Sequence, residues 1–178
     1  IRIRRTSNRV NKELDLNFYI MNSHHTVAIG TWEGDKQQSI EYNSSIAVGI
    51  DCPRAKLRVS ILLDTIQEYQ VRYIFSDEEI SEAVNEAGLI IGARGIAYEG
   101  VLQRKPVIVV GEYGFGGLVT PDTLHEQYNN YFRGKINGIK AEYFSLERLE
   151  EEIRRGFALT FQELQMMSNQ TIRFLHNI

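Results

Sequence analysis

A single cysteine, Cys52, stands in the whole chain, so no internal disulfide can staple it and the fold must rest on a buried core. No apolar run approaches the roughly 18 residues that a membrane-spanning helix needs, and no signal-peptide pattern opens the chain. A net charge of −3 leaves no electrostatic footprint for general nucleic-acid binding. Together these absences lead us to expect a protein of a reducing, cytoplasmic compartment with neither a nucleic-acid partner nor a transmembrane segment. Cys/His clusters, an H-E-x-x-H helix, a phosphate-binding P-loop and a G-x-S-x-G elbow are all missing. There are no internal repeats and no low-complexity linker. An initiator Met is lacking too, and the abrupt start at Ile1 leads us to expect a piece of a larger protein.

What remains is a chain of 178 residues, 43% of them hydrophobic, enough for one domain with a sizeable core. Its three prolines, Pro53, Pro106 and Pro121, each stand where an element is expected to begin. The densest signal lies between Gly88 and Asp122. Leu89-Ile90-Ile91 between two glycines reads as a buried strand, and Val107 to Val110, after Pro106 and before Gly111, reads as another. The stretch between them suits a helix and two tight turns, which makes a strand–helix–strand crossover of a parallel sheet. Further strands are expected at Leu16–Met21, Thr26–Gly30, around Ile46–Val48, at Val71–Phe75 and at Ala141–Phe144. Helices are expected from Pro53 to Tyr69, from a capping box at Ser76 and Glu79, from Thr120-Pro121 to about Phe132, from Ser145 to a break at Gly156, and at the C-terminus. Strands alternating with helices mean an α/β fold with helices on both faces of a mainly parallel sheet.

Ligands of such sheets sit at the carboxyl ends of the strands, and two glycine-bearing segments fall there. In Gly92-Ala93-Arg94-Gly95, before Ile96, glycine permits close approach to backbone amides, and a helix start favours an anion. Arg94 adds a fork suited to a diphosphate, or is simply solvated. Glu99, placed in the first turn of the following helix, either complements the helix dipole or accepts hydrogen bonds from a vicinal diol. Gly111 to Gly117 holds four glycines in seven positions, so ordering it is costly and it should close on a ligand or be tightly held. Its Tyr113 and Phe115, beside Gly114 and Gly116, would stack on a base or sugar, or tuck onto the core. A second helix start at Thr120 already carries Asp122.

The histidines point to no metal. His24 and His25 are adjacent on extended chain and face opposite ways, while His125 and His176 stand alone. Cys52 reads as a structural thiol, and Glu147 to Arg155 as a solvated helix face with i,i+4 pairs. Phe157, Phe161, Leu164, Met167, Ile172 and Leu175 give the last helix a broad apolar set.

Tyr98-Glu99-Gly100-Val101-Leu102-Gln103-Arg104-Lys105-Pro106-Val107-Ile108 resembles the donor-binding segment of GT-B glycosyltransferases. Gly114 to Asp122 is similar to a loop in some bacterial members, Phe75 to Gly88 to the preceding helix, and Phe144 to Leu149 to the helix after the site. The resemblance spans roughly residues 70–158. The polar, basic start reads as an extended arm over 1–15 and the last segment as a C-terminal helix over 157–178; the resemblance implies that 16–156 is a Rossmann-like nucleotide-sugar-binding domain, one half of a GT-B architecture. The substrate would be a nucleotide-sugar, with no cofactor and no metal. Gly92, Arg94, Gly95 and Ile96 would hold its diphosphate, Glu99 its ribose, and Tyr113, Gly114, Phe115 and Gly116 would close over donor or acceptor. A missing N-terminal domain would supply the acceptor site, the general base and any peripheral membrane association, in polysaccharide or cell-envelope biosynthesis. Many retaining members carry a second Glu where this chain has Ile91, which leaves the stereochemistry open. A non-catalytic nucleotide-sugar-binding module and a nucleotide-sugar 2-epimerase are the alternatives.

Overall fold

The two apolar runs flanking the crossover become the centre of one sheet. A computed structural model describes residues 18–20, 45–50, 52–66, 68–74, 76–136, 138–140 and 142–176. The basic arm, the His24-His25 pair and the strand expected at Thr26–Gly30 lie outside them. The strands are β1 (Phe18–Ile20), β2 (Ser45–Gly49), β3 (Gln70–Tyr73), β4 (Leu89–Gly92), β5 (Val107–Gly111) and β6 (Gly114–Leu118). Strands β3, β2, β4 and β5 lie side by side and parallel. The register runs from Ile46↔Leu89 to Gly49↔Gly92 and from Ile90↔Val107 to Gly92↔Val109. β1 is antiparallel to β2 and β3, and β6 is antiparallel to β5.

The helices are α1 (Pro53–Thr65), α2 (Ile80–Glu86), α3 (Arg94–Leu102), α4 (Leu124–Asn129), α5 (Leu146–Phe157) and α6 (Phe161–His176). The chain runs from β2 outward to β3, returns past β2 to β4, and continues to β5. Right-handed crossovers then place α1 on one face and α2 and α3 on the other. Both faces are therefore covered, which explains why Ile46, Ala47, Val48, Leu89, Ile90 and Ile91 form continuous apolar runs and are all fully buried. This is an α/β, Rossmann-like sheet, and the reversal between β2 and β4 opens at their carboxyl ends.

Two glycines set how closely the layers approach. A Cβ on Gly100 of α3 would lie 2.7 Å from Val107 Cγ2, and one on Gly156 of α5 2.6 Å from Leu89 Cδ1. Gly156 is therefore a contact point inside α5, which continues to Phe157, and not the break expected from its sequence. α5 shares its face with α1: Arg58 Nη2 donates to the Phe144 carbonyl at 2.7 Å, and Tyr69 stacks on Phe157. α6 covers α3, with Ser168 Oγ donating to the Leu102 carbonyl at 2.9 Å.

Several boundaries move. α1 stops at Thr65, Ser76 caps its single 3₁₀ turn without a side-chain bond, and α4 starts only at Leu124. Thr120 and Thr123 instead close a turn on each other: Thr120 N–H donates to Thr123 Oγ1 at 2.8 Å, and Thr123 N–H to Thr120 Oγ1 at 3.3 Å. Residues 142 and 143 lie in a turn and no described residue there is in a strand; Phe144 is a buried plug stacked on Phe115 at 4.6 Å. The sheet position expected there is taken by β6, formed from the segment read as a glycine loop.

β6 is an edge strand whose outer groups are engaged. Phe115 N–H donates to the Ile139 carbonyl at 2.8 Å, Gln127 Nε2 donates to the Gly116 carbonyl at 2.8 Å, and Leu118 N–H donates to Glu152 Oε2 at 3.2 Å. Glu152 is 1% exposed and also meets Arg148 at 2.6 Å and Arg155 at 3.0 Å. One turn of the run read as a solvated face thus points inward, because a strand amide needs an acceptor there.

Ser145 caps α5 as expected, accepting from Arg148 N–H at 3.3 Å. A capping box starts α6: Glu163 N–H donates to Thr160 Oγ1 at 3.2 Å, and Thr160 N–H donates to Glu163 Oε2 at 2.8 Å. The Thr160 amide, then its hydroxyl, hold the Glu163 carboxyl below its ordinary value. A depressed folded-state value means that this stabilisation is present above the ordinary carboxylate range and lost as pH falls through the folded value. Thr160→Ala should cost about 1 kcal/mol, and in an NMR titration the Glu163 carboxyl should move back toward its ordinary value. The movement should be partial, because the Thr160 amide remains in the variant; unchanged stability in denaturant titration would show that the hydroxyl does not cap α6 in solution.

Candidate functional site at the carboxyl edge of the sheet

The floor of the carboxyl edge is the pair Gly49↔Gly92, where β2 and β4 end. A Cβ on Gly92 would lie 2.5 Å from Ile96 Cγ2 and 2.6 Å from the Gly49 carbonyl oxygen, so only glycine lets the strands and the first turn of α3 converge. Ile96 is 3% exposed and seals this floor. Ala93 N–H donates to the Gly49 carbonyl, and Arg94 N–H to the Phe132 carbonyl at 3.1 Å. The Arg94 amide, expected to receive a phosphate, is thus already bonded. Gly95 faces open space, with no atom within 4 Å of where its Cβ would stand.

Charge gathers just above this floor. Arg94 Nη2 lies 2.8 Å from Glu112 Oε2, and Arg133 Nη1 lies 3.2 Å from Glu112 Oε1. Arg133 also donates to Tyr113 Oη at 3.3 Å and sits over the rings of Tyr113 (5.9 Å) and Tyr131 (5.7 Å). The Tyr113 bond, and then the Glu112 charge, raise the Arg133 guanidinium above its ordinary value. Its Nε is buried without a partner. Tyr131 keeps 72% of its surface exposed, which leaves a broad aromatic face beside two guanidinium groups.

The backbone that presents Arg133 is forced. Tyr131 and Phe132 have φ of 55° and 52°, and Arg94 has 53°, in the left-handed region that side chains avoid. Such strain persists only where surroundings over-determine it. Here Phe132, 1% exposed, meets Tyr98 edge-on at 6.0 Å and Tyr128 at 6.3 Å. Tyr113 N–H donates to the Arg133 carbonyl at 2.9 Å. Gly134, at φ 102°, lets the chain pass the Gly114 carbonyl, which a Cβ would approach to 2.2 Å. The Tyr98 phenol, buried among these rings, is pushed up to about 12, first by burial and then by Tyr128, and stays neutral at ordinary pH.

Comparison with known protein families, characterised proteins and solved structures finds no match.

The sequence-predicted residues divide into two groups. Arg94, Gly95 and Tyr113 reach the open edge, and Glu99 lies one turn beyond Gly95 on the same stripe of α3. Glu99 is in the second turn, not the first, so it does not complement the helix dipole; it accepts from Gln103 Nε2 at 2.7 Å. Gly92 and Ile96 build the floor. Gly114, Phe115 and Gly116 belong to β6, where Phe115 is 5% exposed and the Gln127 amide crowds Gly116. At Thr120 the Thr120 and Thr123 amides are bonded within the turn.

Arg133, Glu112 and Tyr131 were not singled out from the sequence. Glu112 directly follows the glycine ending β5, and Arg133 stands between two aromatics and Gly134; these were the available signals. His125, beside Asn129 and edge-on to Phe174, lies on α4. Among the described residues no group of three His, Cys, Asp or Glu could hold a metal ion, and no helix is long and apolar enough to cross a membrane.

Proposed function

We propose that this chain is a nucleotide-sugar-binding domain, the donor-binding half of a glycosyltransferase. The observation that carries the reading is the convergence of Arg94 and Arg133 on one anionic position at the carboxyl edge, next to the exposed Tyr131 ring and the open Gly95. Two planar, permanently charged forks suit the diphosphate, and an aromatic face suits a base or sugar. Glu99, on the Gly95 stripe, is the group for the ribose hydroxyls. Charge building on the departing nucleotide would be stabilised by the same guanidinium groups, which is electrostatic catalysis. The general base and the acceptor contacts belong to a second domain. The outer face of α6 supports such a partner domain, with Phe161, Met166, Ile172 and Leu175 each more than 40% exposed.

Calorimetric titration with UDP, GDP, CDP and ADP tests the reading. One diphosphate should bind saturably, and Arg94→Ala and Arg133→Ala should each weaken it by about tenfold, the loss of one charged hydrogen bond. Glu99→Ala should weaken the nucleotide and leave inorganic pyrophosphate unchanged. Binding insensitive to both arginine changes would sink the assignment. Binding with no sugar transfer, in a longer chain that carries the second domain, would favour a non-catalytic module.

A further inference from the structure

The position between the two arginines is occupied by the chain itself. Each oxygen of Glu112 serves a different guanidinium, Oε2 with Arg94 and Oε1 with Arg133. Glu112 sits on the two-residue turn joining β5 to β6 and keeps 40% of its side-chain surface exposed. We propose that the Glu112 carboxylate holds the place of one phosphoryl group and is displaced when a diphosphate binds. The inference rests on the diphosphate reading above and adds to it the residue that sets affinity.

The chemistry follows from what each anion offers. A carboxylate brings one charge and two oxygens, whereas a diphosphate brings more of both to the same donors. Without Glu112 the arginines would repel each other across an empty gap, so the carboxylate keeps both forks aimed inward. The arrangement is preorganised for an anion, but the ligand must break two ion pairs before making its own. Arg133 cannot follow Glu112 away. Its guanidinium is bonded to Tyr113 Oη and lies against two rings, and its carbonyl accepts from Tyr113 N–H. Among the described residues the Glu112 carboxylate meets only the two arginines, from a two-residue turn, and it is the group that can swing away.

Glu112→Gln keeps the size and removes the charge, so it separates displacement from packing. The test is titration of the wild-type chain, Glu112→Gln and Glu112→Gln/Arg133→Ala with inorganic pyrophosphate and with each nucleoside diphosphate. Glu112→Gln should bind both kinds of probe at least about tenfold more tightly than wild type, and the Arg133 change should abolish the gain. Glu126→Gln, which removes an equal charge from the exposed pair with Lys135, should give no gain. Tighter binding in Glu126→Gln as well would reduce the effect to net charge and overturn the proposal. Equal or weaker binding by Glu112→Gln, with wild type still binding nucleotide, would overturn the displacement and leave the nucleotide site standing. A gain confined to the nucleoside diphosphates and absent with pyrophosphate would move Glu112 away from the diphosphate and also overturn it. Failure of every probe on every variant would remove both readings together.

Discussion

Replacing Phe132 by alanine should lower the free energy of unfolding by about 4 kcal/mol, the usual cost of truncating a buried phenylalanine. Phe132 is 1% exposed, contacts Tyr98 and Tyr128 through its ring, and supplies the carbonyl that fixes Arg94 N–H. Loss of the ring should loosen the strained segment that carries Arg133, so diphosphate affinity should fall with stability. The backbone provides an independent check. At φ 52°, alanine suffers the same left-handed strain as phenylalanine, whereas glycine does not. At most buried sites glycine is less stable than alanine; here Phe132→Gly should be at least as stable as Phe132→Ala in denaturant titrations. A clearly weaker glycine variant would show that residue 132 does not hold this conformation.

The second large effect is at the floor of the site. Gly92→Ala should cost about 3 kcal/mol or more, because the new methyl meets the Gly49 carbonyl oxygen, which a central strand cannot move aside. Gly49→Ala makes the informative comparison. Its Cβ would meet only Ile96, with Cδ1 at 2.9 Å and Cγ2 at 3.1 Å. Adding Ile96→Ala should therefore recover most of the Gly49→Ala loss but only part of the Gly92→Ala loss, because the Gly49 carbonyl oxygen stays 2.6 Å from the new methyl. Equal rescue of both in a double-mutant cycle would mean that the two strand ends are farther apart than described.

Why some of this was legible in the sequence and some was not is a matter of how each residue signals its surroundings. β4, α3 and β5 were readable because strands covered on both faces must be apolar throughout, and Gly92 and Pro106 punctuate them. β6 was not. Gly114, Gly116 and Gly117 carry no side chains, so a strand built on them shows no alternation, and only Phe115 and Leu118 mark its buried positions. Tyr143-Phe144 looked like strand because aromatics favour strands, yet Phe144 is spent filling the space against Phe115. Gly156 looked like a stop because glycine ends many helices; its other use, close approach to Leu89, leaves no local trace. The site divides in the same way. Arg94 and Gly95 follow a strand end directly and were visible, as was Tyr113. The Arg94–Glu112–Arg133 cluster joins three separate segments, and no spacing within any one of them announces it.

The covered edge of β6 bears on self-association. An edge strand with free amides is a template on which another chain can add, and glycine-rich strands, having little side-chain bulk, are poor at preventing it. Here the Ile139 carbonyl, the Gln127 amide and the Glu152 carboxylate occupy the outward groups of Phe115, Gly116 and Leu118. The inward-turned charge of Glu152 thus acts as a gatekeeper: the fold tolerates a strand of glycines at its margin because three neighbouring groups already hold the Phe115 amide, the Gly116 carbonyl and the Leu118 amide against an incoming strand.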